Sequence, residues 1–182
     1  MGERVGEAVN IDRILTCARS APMLSFTDRQ VQRKKVTCRI GVARDDAFSF
    51  YYAASLAELE KNGAELIPFS PLHDETLPEV DGLIIGGGFP EMFARQLSVN
   101  ESMRTAVRVN ADRGMPIYAE CGGYMYLMEN LVDFSGVAYP MVGIFSGEAH
   151  MTERLQMVGY VEAHQEVDTV LGRAGLSLHG HE

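Results

Sequence analysis

The sequence predicts an α/β fold, with a mostly parallel sheet flanked by helices on both faces and a small antiparallel extension. From Val36 onward, apolar segments of strand length alternate with amphipathic segments of helix length, which is typical of a parallel sheet covered on both sides. Two predicted strands run directly into glycine-rich turns, at residues 86–88 and 122–123. Ligands bind at the carboxyl ends of the strands in such sheets, so both turns are candidate parts of a site.

Residues 1–35 differ in character from the rest of the chain. Four apolar residues recur at helical spacing: Ile11, Ile14, Leu15 and Ala18. Asn10 is the predicted N-cap, Pro22 ends the helix, and a polar stretch follows. We predict that residues 1–35 are the C-terminal helix and linker of a preceding domain, and that residues 36–182 are the main domain, truncated at its C-terminus.

The main domain is expected to begin with three strands, over residues 36–43, 64–69 and 80–85. A helix over residues 49–62 lies between the first two, with Tyr52, Leu56 and Leu59 on one face. Gly63 is its predicted stop.

A second helix is predicted over residues 98–113, and a strand over residues 116–119 follows it. The segment from Cys121 to Leu131 reads as a further helix. Two or three antiparallel strands are expected within residues 139–160, and a last strand within residues 176–182.

Composition and charge exclude several classes of function. The formal net charge of −9 disfavours a nucleic-acid partner. No apolar run approaches the roughly 20 residues that cross a bilayer, and the N-terminus lacks the apolar core of a signal peptide, so we expect a cytoplasmic protein without membrane contact. Three widely spaced cysteines suggest neither a disulfide framework nor a metal site.

Cys121 is the candidate nucleophile. It stands between a short apolar strand and a helix, where a sharp turn exposes a side chain above the sheet and the helix N-terminus favours a thiolate. The alternative is a small buried hydrophobic residue, as most free cysteines are. Gly122 and Gly123 argue against that alternative, because glycine is a poor opening for a helix unless the backbone needs unusual angles or a close approach.

The glycines at residues 86–88 require a tight turn or a close approach by a ligand, with exposed N–H groups. A phosphate loop is one interpretation. The turn lacks the Gly-Lys-Ser/Thr ending of a P-loop, and Glu91 breaks the Gly-x-Gly-x-x-Gly pattern.

Together, four segments resemble the C-terminal glutaminase domain of the cobyrinic acid a,c-diamide synthase family, which has a class I glutamine amidotransferase-like (flavodoxin-like) fold. The segments are Ala-Arg-Asp-Asp-Ala-Phe-Ser-Phe-Tyr-Tyr from residue 43, Gly-Gly-Gly-Phe-Pro-Glu from residue 86, Tyr-Ala-Glu-Cys-Gly-Gly-Tyr-Met-Tyr-Leu from residue 118, and Gly-His-Glu from residue 180. The resemblance covers residues 36–182.

The resemblance implies a Cys–His amidotransferase in which Cys121 attacks the side-chain amide of glutamine and forms a glutamyl thioester. The N–H of Gly122 and one from Gly87 or Gly88 would then form the oxyanion hole. Glu91 would recognise the amine of glutamine. Glu120, beside the nucleophile, reads as an ordinary buried acid at a strand end.

The family's general base usually lies two residues beyond the Glu of the Gly-His-Glu segment, outside this sequence. His181 is the candidate within it, because it shares a strand face with that position, although about 6 to 7 Å away. The alternative for His181 is a structural histidine beside the site. The chain alone is therefore expected to be weakly active or inactive.

For the full-length enzyme, the resemblance implies an N-terminal synthetase domain that uses ATP and Mg²⁺ to amidate the a and c carboxylates of a corrin substrate. No cofactor and no metal are expected in residues 36–182, and the resemblance leaves a homodimer open. Two other functions remain open: a different cysteine hydrolase on a related nucleophile-elbow fold, and an inactive or regulatory domain of amidotransferase type.

Overall fold

A computed structural model describes residues 6, 8–23, 34–154, 156 and 158–182. The chain divides into two compact units, Met1–Val31 and Gln32–Glu182. In the first unit, helix α1 spans Ile11–Arg19 and is capped by the Asn10 side chain, which accepts a hydrogen bond of 2.9 Å from the Arg13 N–H. This confirms the predicted helix and its cap. The predicted linker lies mostly outside the described residues.

The second unit is built on a parallel sheet of four strands: β1 (Cys38–Ala43), β3 (Ala64–Phe69), β4 (Gly82–Ile85) and β6 (Ile117–Ala119). Their order is β3-β1-β4-β6, and every neighbouring pair runs parallel. The predicted α/β class and the parallel sheet are confirmed. The carboxyl ends of β4 and β6 lie side by side, because Ile85 is in register with Ala119.

Helices lie on both faces of this sheet. On one face lies α2 (Ala53–Lys61), whose Leu56 and Leu59 line a groove together with Ile84 of β4. On the other face are a short 3-10 helix (Pro90–Phe93) and the helices α3 (Ala94–Val99), α4 (Glu101–Asp112) and α5 (Gly122–Leu127). The core between these helices and the sheet includes Leu83, Ile85, Leu97, Met103, Val107, Tyr126 and Leu127.

The predicted start of α2 at Ser49 is wrong. Residues Phe48–Phe50 form strand β2 instead, which pairs antiparallel with β5 (Gly87–Gly88). Phe48 is fully buried there. Burial of an aromatic side chain and strand pairing outweigh the helical spacing, so the helix starts only after Tyr52.

The single helix predicted over residues 98–113 is two helices, α3 and α4, with Asn100 between them. The Asn100 side chain accepts from the Met103 N–H at 3.3 Å and so caps α4. Its amide also donates to the carbonyl oxygens of Pro71 and Asp74, at 2.8 and 2.9 Å. These tertiary hydrogen bonds fix the break.

The helix that follows Cys121 ends at Leu127, not at Leu131. Strand β7 (Met128–Val132) follows directly and pairs with β8 (Ala138–Pro140) and β9 (Phe145–His150). β7 runs antiparallel to β8 and parallel to β9, so these two strands pair with β7 and not with each other, unlike the antiparallel strands expected within residues 139–160. A separate antiparallel hairpin joins β10 (Tyr160–His164) to β11 (Ser177–His181), which confirms the predicted last strand. Within the described ranges, no helix has the length and hydrophobicity to cross a bilayer.

The carboxylate of Asp45 connects the loop after β1 to the rest of the unit through hydrogen bonds. One carboxylate oxygen accepts from the N–H groups of Ala47 and Phe48, at 2.9 and 3.2 Å. The other accepts from the Ser70 hydroxyl at 2.8 Å and from the Leu72 N–H at 2.9 Å. This one side chain therefore holds both the start of β2 and the loop after β3.

We expect Asp45→Ala to lower the free energy of unfolding by about 3 kcal/mol, because four donors lose a charged acceptor and several lie in part-buried positions. Urea denaturation measures this. The matched control is Asp46→Ala, since Asp46 is exposed and should change stability by no more than about 0.5 kcal/mol. Equal losses in the two variants would contradict the structural role of Asp45.

Candidate active site

Cys121 occupies a strained backbone turn between β6 and α5. Its φ is 50° and its ψ is −118°. Among the described residues it is the only non-glycine residue at positive φ. Such a conformation costs about 1–3 kcal/mol and persists only where the surrounding structure enforces it. The side chain is exposed, so the predicted strand, sharp turn and helix are present, and the alternative of a buried hydrophobic cysteine is wrong.

Two glycines after Cys121 allow the turn to lie against β4. A Cβ on Gly123 would lie 1.9 Å from the Ile85 carbonyl oxygen, which no side chain can tolerate. A Cβ on Gly122 would lie 2.7 Å from Cδ of Pro90. The Gly123 N–H donates to the Glu120 carbonyl at 2.9 Å and closes the turn. Gly123 is therefore required by the close approach of the β4 backbone, and Gly122 by the close approach of the Pro90 ring.

The turn at residues 86–88 lies directly beside the turn at residues 120–123, which is called the elbow below. A Cβ on Gly87 would lie 3.6 Å from the Cys121 Cβ, and a Cβ on Gly122 would lie 3.3 Å from the Gly88 nitrogen. The glycines at residues 86, 87, 88 and 122 are all buried. The structure thus brings together the nucleophile candidate and three predicted oxyanion residues: Gly87, Gly88 and Gly122.

Backbone amides on Gly88 and Gly122 are suited to the stabilisation of an oxyanion. They belong to different turns, and the close contacts of both turns fix their positions before any substrate binds. Fixed donors need no reorganisation when charge develops on an acyl oxygen, which is the basis of oxyanion-hole catalysis. Together with an exposed thiol, this arrangement can perform acyl transfer.

Two acidic residues, Glu91 and Glu120, lie next to residues of the turn at Cys121. Glu91 is half-buried in the 3-10 helix and follows Pro90, the residue that packs against Gly122. Glu120 is exposed, so the reading of a buried acid is wrong. Its carboxylate accepts from the Tyr118 hydroxyl at 2.9 Å. The pKa of Tyr118 is raised, most strongly by burial and secondly by this hydrogen bond.

His181 lies on the β10–β11 hairpin, where it is paired with Tyr160 and exposed. The neighbouring His179 lies 3.9 Å from a Glu162 oxygen. In the described part of the chain, no hydrogen bond links an imidazole to the sulfur of Cys121, and no group of three His, Cys, Asp or Glu side chains is arranged to hold a metal ion. The role of His181 as base stays a prediction.

Two pairs of aromatic side chains include residues on or next to the glycine turn at residues 86–88 and on α5. Phe50 lies against Gly87 and makes an edge contact with Phe89, with ring centroids 5.1 Å apart. Tyr124 and Phe145 form a second pair at 5.3 Å. All four are exposed. A separate apolar groove of about 730 Å³ lies between α2 and the sheet, and Cys121 is not among its lining residues.

Tyr51 is the residue near the site whose role the sequence did not reveal. Its hydroxyl accepts a hydrogen bond of 2.9 Å from the Gly86 N–H. The segment from residue 43 contributed to the family resemblance, but its spacing predicted a helix. The glycine turn at residues 86–88 is the signal that could have pointed to Tyr51, because the N–H groups of that turn need hydrogen-bond acceptors.

Comparisons with known proteins agree with this geometry. A family model described as the CobB/CobQ-like glutamine amidotransferase domain matches residues 39–182. The chain is similar to the cobyrinate a,c-diamide synthase of Caldanaerobacter subterraneus subsp. tengcongensis, with 47% identity over 180 residues, which is 98% of this chain and 39% of that protein.

Relatives of the same name give similar values. The protein from Dehalococcoides mccartyi strain ATCC BAA-2266 is 46% identical over 187 residues, covering 100% of this chain and 40% of the relative. The protein from Listeria innocua serovar 6a is 45% identical over 175 residues, covering 96% and 38%. The chain thus spans about two fifths of the length of these curated relatives.

Proposed function

The chain belongs to the CobB/CobQ-like glutamine amidotransferase domain family, and from this premise we propose that it is a glutaminase domain with Cys121 as its nucleophile. The observation that carries the proposal is the positive φ of Cys121 beside two glycine turns. A strained cysteine whose thiol is exposed next to fixed N–H groups is suited to acyl transfer from a small amide.

In the proposed reaction, the Cys121 thiolate attacks the side-chain amide carbon of glutamine and forms a C–S bond. The negative charge moves to the amide oxygen, where the N–H groups of Gly122 and of Gly87 or Gly88 stabilise it. The C–N bond then breaks and ammonia leaves, carrying a proton from the general base. The general base takes a proton from water as the water attacks the glutamyl thioester, the C–S bond breaks, and glutamate, the thiolate and the second proton are released.

Two side chains complete the proposed site. Glu91 is the proposed group for the amine of glutamine, and its place next to Pro90 supports this role. His181 is the proposed general base among the described residues. His181 could act only if its hairpin lies over Cys121.

The longer relatives suggest the context of this reaction. We propose that the chain works within a larger cytoplasmic cobyrinate a,c-diamide synthase, whose synthetase part uses ATP and Mg²⁺ to activate the a and c carboxylates of a corrin. Ammonia from Cys121 would pass to that part without release to solvent. The assignment of residues 1–35 to the end of the synthetase domain, the absence of a cofactor in residues 36–182 and a homodimer all stay predictions.

The proposal is tested by incubating the purified chain with glutamine and measuring glutamate and ammonia, with and without added imidazole as a substitute base. We expect slow hydrolysis that imidazole accelerates. In parallel, 6-diazo-5-oxo-L-norleucine, an electrophile that mimics glutamine, should label Cys121 and not Cys17, which is also exposed.

Three outcomes would overturn the proposal. Turnover of peptides or glycated amines, with none of glutamine, would indicate another cysteine hydrolase. Absence of both turnover and labelling would indicate a regulatory domain. Equal labelling of Cys17 and Cys121 would show that the elbow does not recognise a glutamine-like ligand.

A further inference from the structure

We propose that Tyr51 is a positioning residue for the oxyanion hole, because its hydroxyl joins the end of β1 to the start of the glycine turn. This inference rests on the proposed glutaminase function. The hydroxyl donates to the carbonyl oxygen of Ala43, the last residue of β1, and accepts from the Gly86 N–H at 2.9 Å. A single side chain thereby satisfies two backbone groups at the edge of the sheet where the nucleophile lies.

The Tyr51 ring is packed tightly against the turn. A Cβ on Gly86 would lie 2.7 Å from Cε1 of Tyr51 and 2.9 Å from the Phe50 carbonyl oxygen. The ring therefore limits movement of Gly86 on one side, and the hydroxyl holds its N–H in a fixed direction. Gly86 has little freedom to shift while Tyr51 is in place.

The position of Gly86 determines where the next two amides lie. Gly87 and Gly88 follow it directly and pair with β2. The Gly88 nitrogen lies next to Gly122, and Gly87 lies next to Cys121. A displacement of the turn by about 1 Å would move its donor away from the developing oxyanion, and errors of this size cost about 100-fold in rate.

The hydroxyl stays protonated in this place. Burial raises the pKa of Tyr51, although the hydrogen bond from Gly86 opposes the rise. Tyr51 therefore keeps the proton that it donates to Ala43, and the bridge persists at neutral and moderately alkaline pH. Its neighbour Tyr52 is 74% exposed and makes no such bridge, so it offers a matched control.

The test compares wild type, Tyr51→Phe and Tyr52→Phe in acylation by L-glutamate γ-p-nitroanilide with imidazole present. Attack by Cys121 forms a C–S bond, breaks the C–N bond and releases p-nitroaniline with a proton, and mass spectrometry detects the glutamyl adduct. We expect Tyr51→Phe to lower the maximal acylation rate about 10- to 100-fold. The half-saturating concentration should change by no more than about twofold, because substrate binding is not affected.

Two further measurements separate positioning from a general loss of structure. Alkylation of Cys121 by iodoacetamide needs no oxyanion hole, so its rate should stay within about twofold of wild type. Hydrogen exchange of the Gly86 amide should become at least about tenfold faster in Tyr51→Phe, because it loses its acceptor. The Phe89 amide, which donates to the Ala47 carbonyl at 3.0 Å, should be unchanged.

The outcomes distinguish the two proposals. If wild type is not acylated at Cys121, the glutaminase function fails. If wild type is acylated and Tyr51→Phe matches it, or if Tyr52→Phe is slowed equally, the positioning role is wrong. An equal fall in iodoacetamide alkylation would also overturn it, since the tyrosine would then act on the thiol or on the fold as a whole.

Discussion

Replacement of Cys121 with alanine is expected to abolish glutamine hydrolysis and the labelling by 6-diazo-5-oxo-L-norleucine. The thiolate forms the only covalent bond to the substrate in the proposed reaction, and removal of a catalytic nucleophile lowers kcat by about a millionfold. Glutamate release measures the loss. Circular dichroism should remain that of wild type, because the exposed sulfur makes no hydrogen bond in the described residues.

The matched control is Cys17→Ala. Cys17 is also exposed, but it lies within the regular helix α1 and has no glycine turn beside it. Its replacement should leave both hydrolysis and labelling unchanged. Residual hydrolysis in Cys121→Ala, at more than a trace of the wild-type rate, would mean that another group performs the attack.

Gly123→Ala is expected to have the largest effect on folding. The added Cβ would lie 1.9 Å from the Ile85 carbonyl oxygen and 2.7 Å from its carbonyl carbon. These are backbone atoms of β4, which is paired with β1 and with β6. Relief of the clash by movement of this backbone would therefore cost much free energy. We expect a loss of about 3 kcal/mol or more in the free energy of unfolding.

Urea denaturation of Gly123→Ala and Gly159→Ala tests this prediction. Among the described residues, no heavy atom lies within 4 Å of the position of a Cβ on Gly159, and its φ is not positive, so its replacement by alanine should be tolerated. If Gly123→Ala is as stable as Gly159→Ala, the elbow does not contact β4 as described, and the close approach that accounts for the second glycine is wrong.

The strands of the main sheet and the elbow could be predicted because their signals are local. The strand at residues 64–69 has the predicted bounds, and the turn at Cys121 is marked by two glycines that no regular helix needs. The elements that were missed depend on distant partners. Phe48–Phe50 becomes a strand because β5 pairs with it, and Met128–Val132 because β8 and β9 do.

The residues of the candidate site likewise divide into those with a local signal in the sequence and those that depend on distant partners. Cys121, Gly87, Gly88 and Gly122 are predictable because glycine and cysteine in turns after strands carry a clear physical meaning. Tyr51 is not, since nothing in its spacing shows that its hydroxyl reaches Gly86. Polar partners that meet only through tertiary packing leave no periodic pattern in a sequence.

The turns that hold the site also bear on the order in which the protein folds. Two of the contacts that hold the site join segments far apart in the chain: Tyr51 with Gly86, and Gly123 with Ile85. Loops of this length must close before such contacts can form, which makes them slow. The thiol should therefore gain its special reactivity only late in folding, when β1, β4 and β6 are already paired, and an incompletely folded chain would carry an ordinary cysteine.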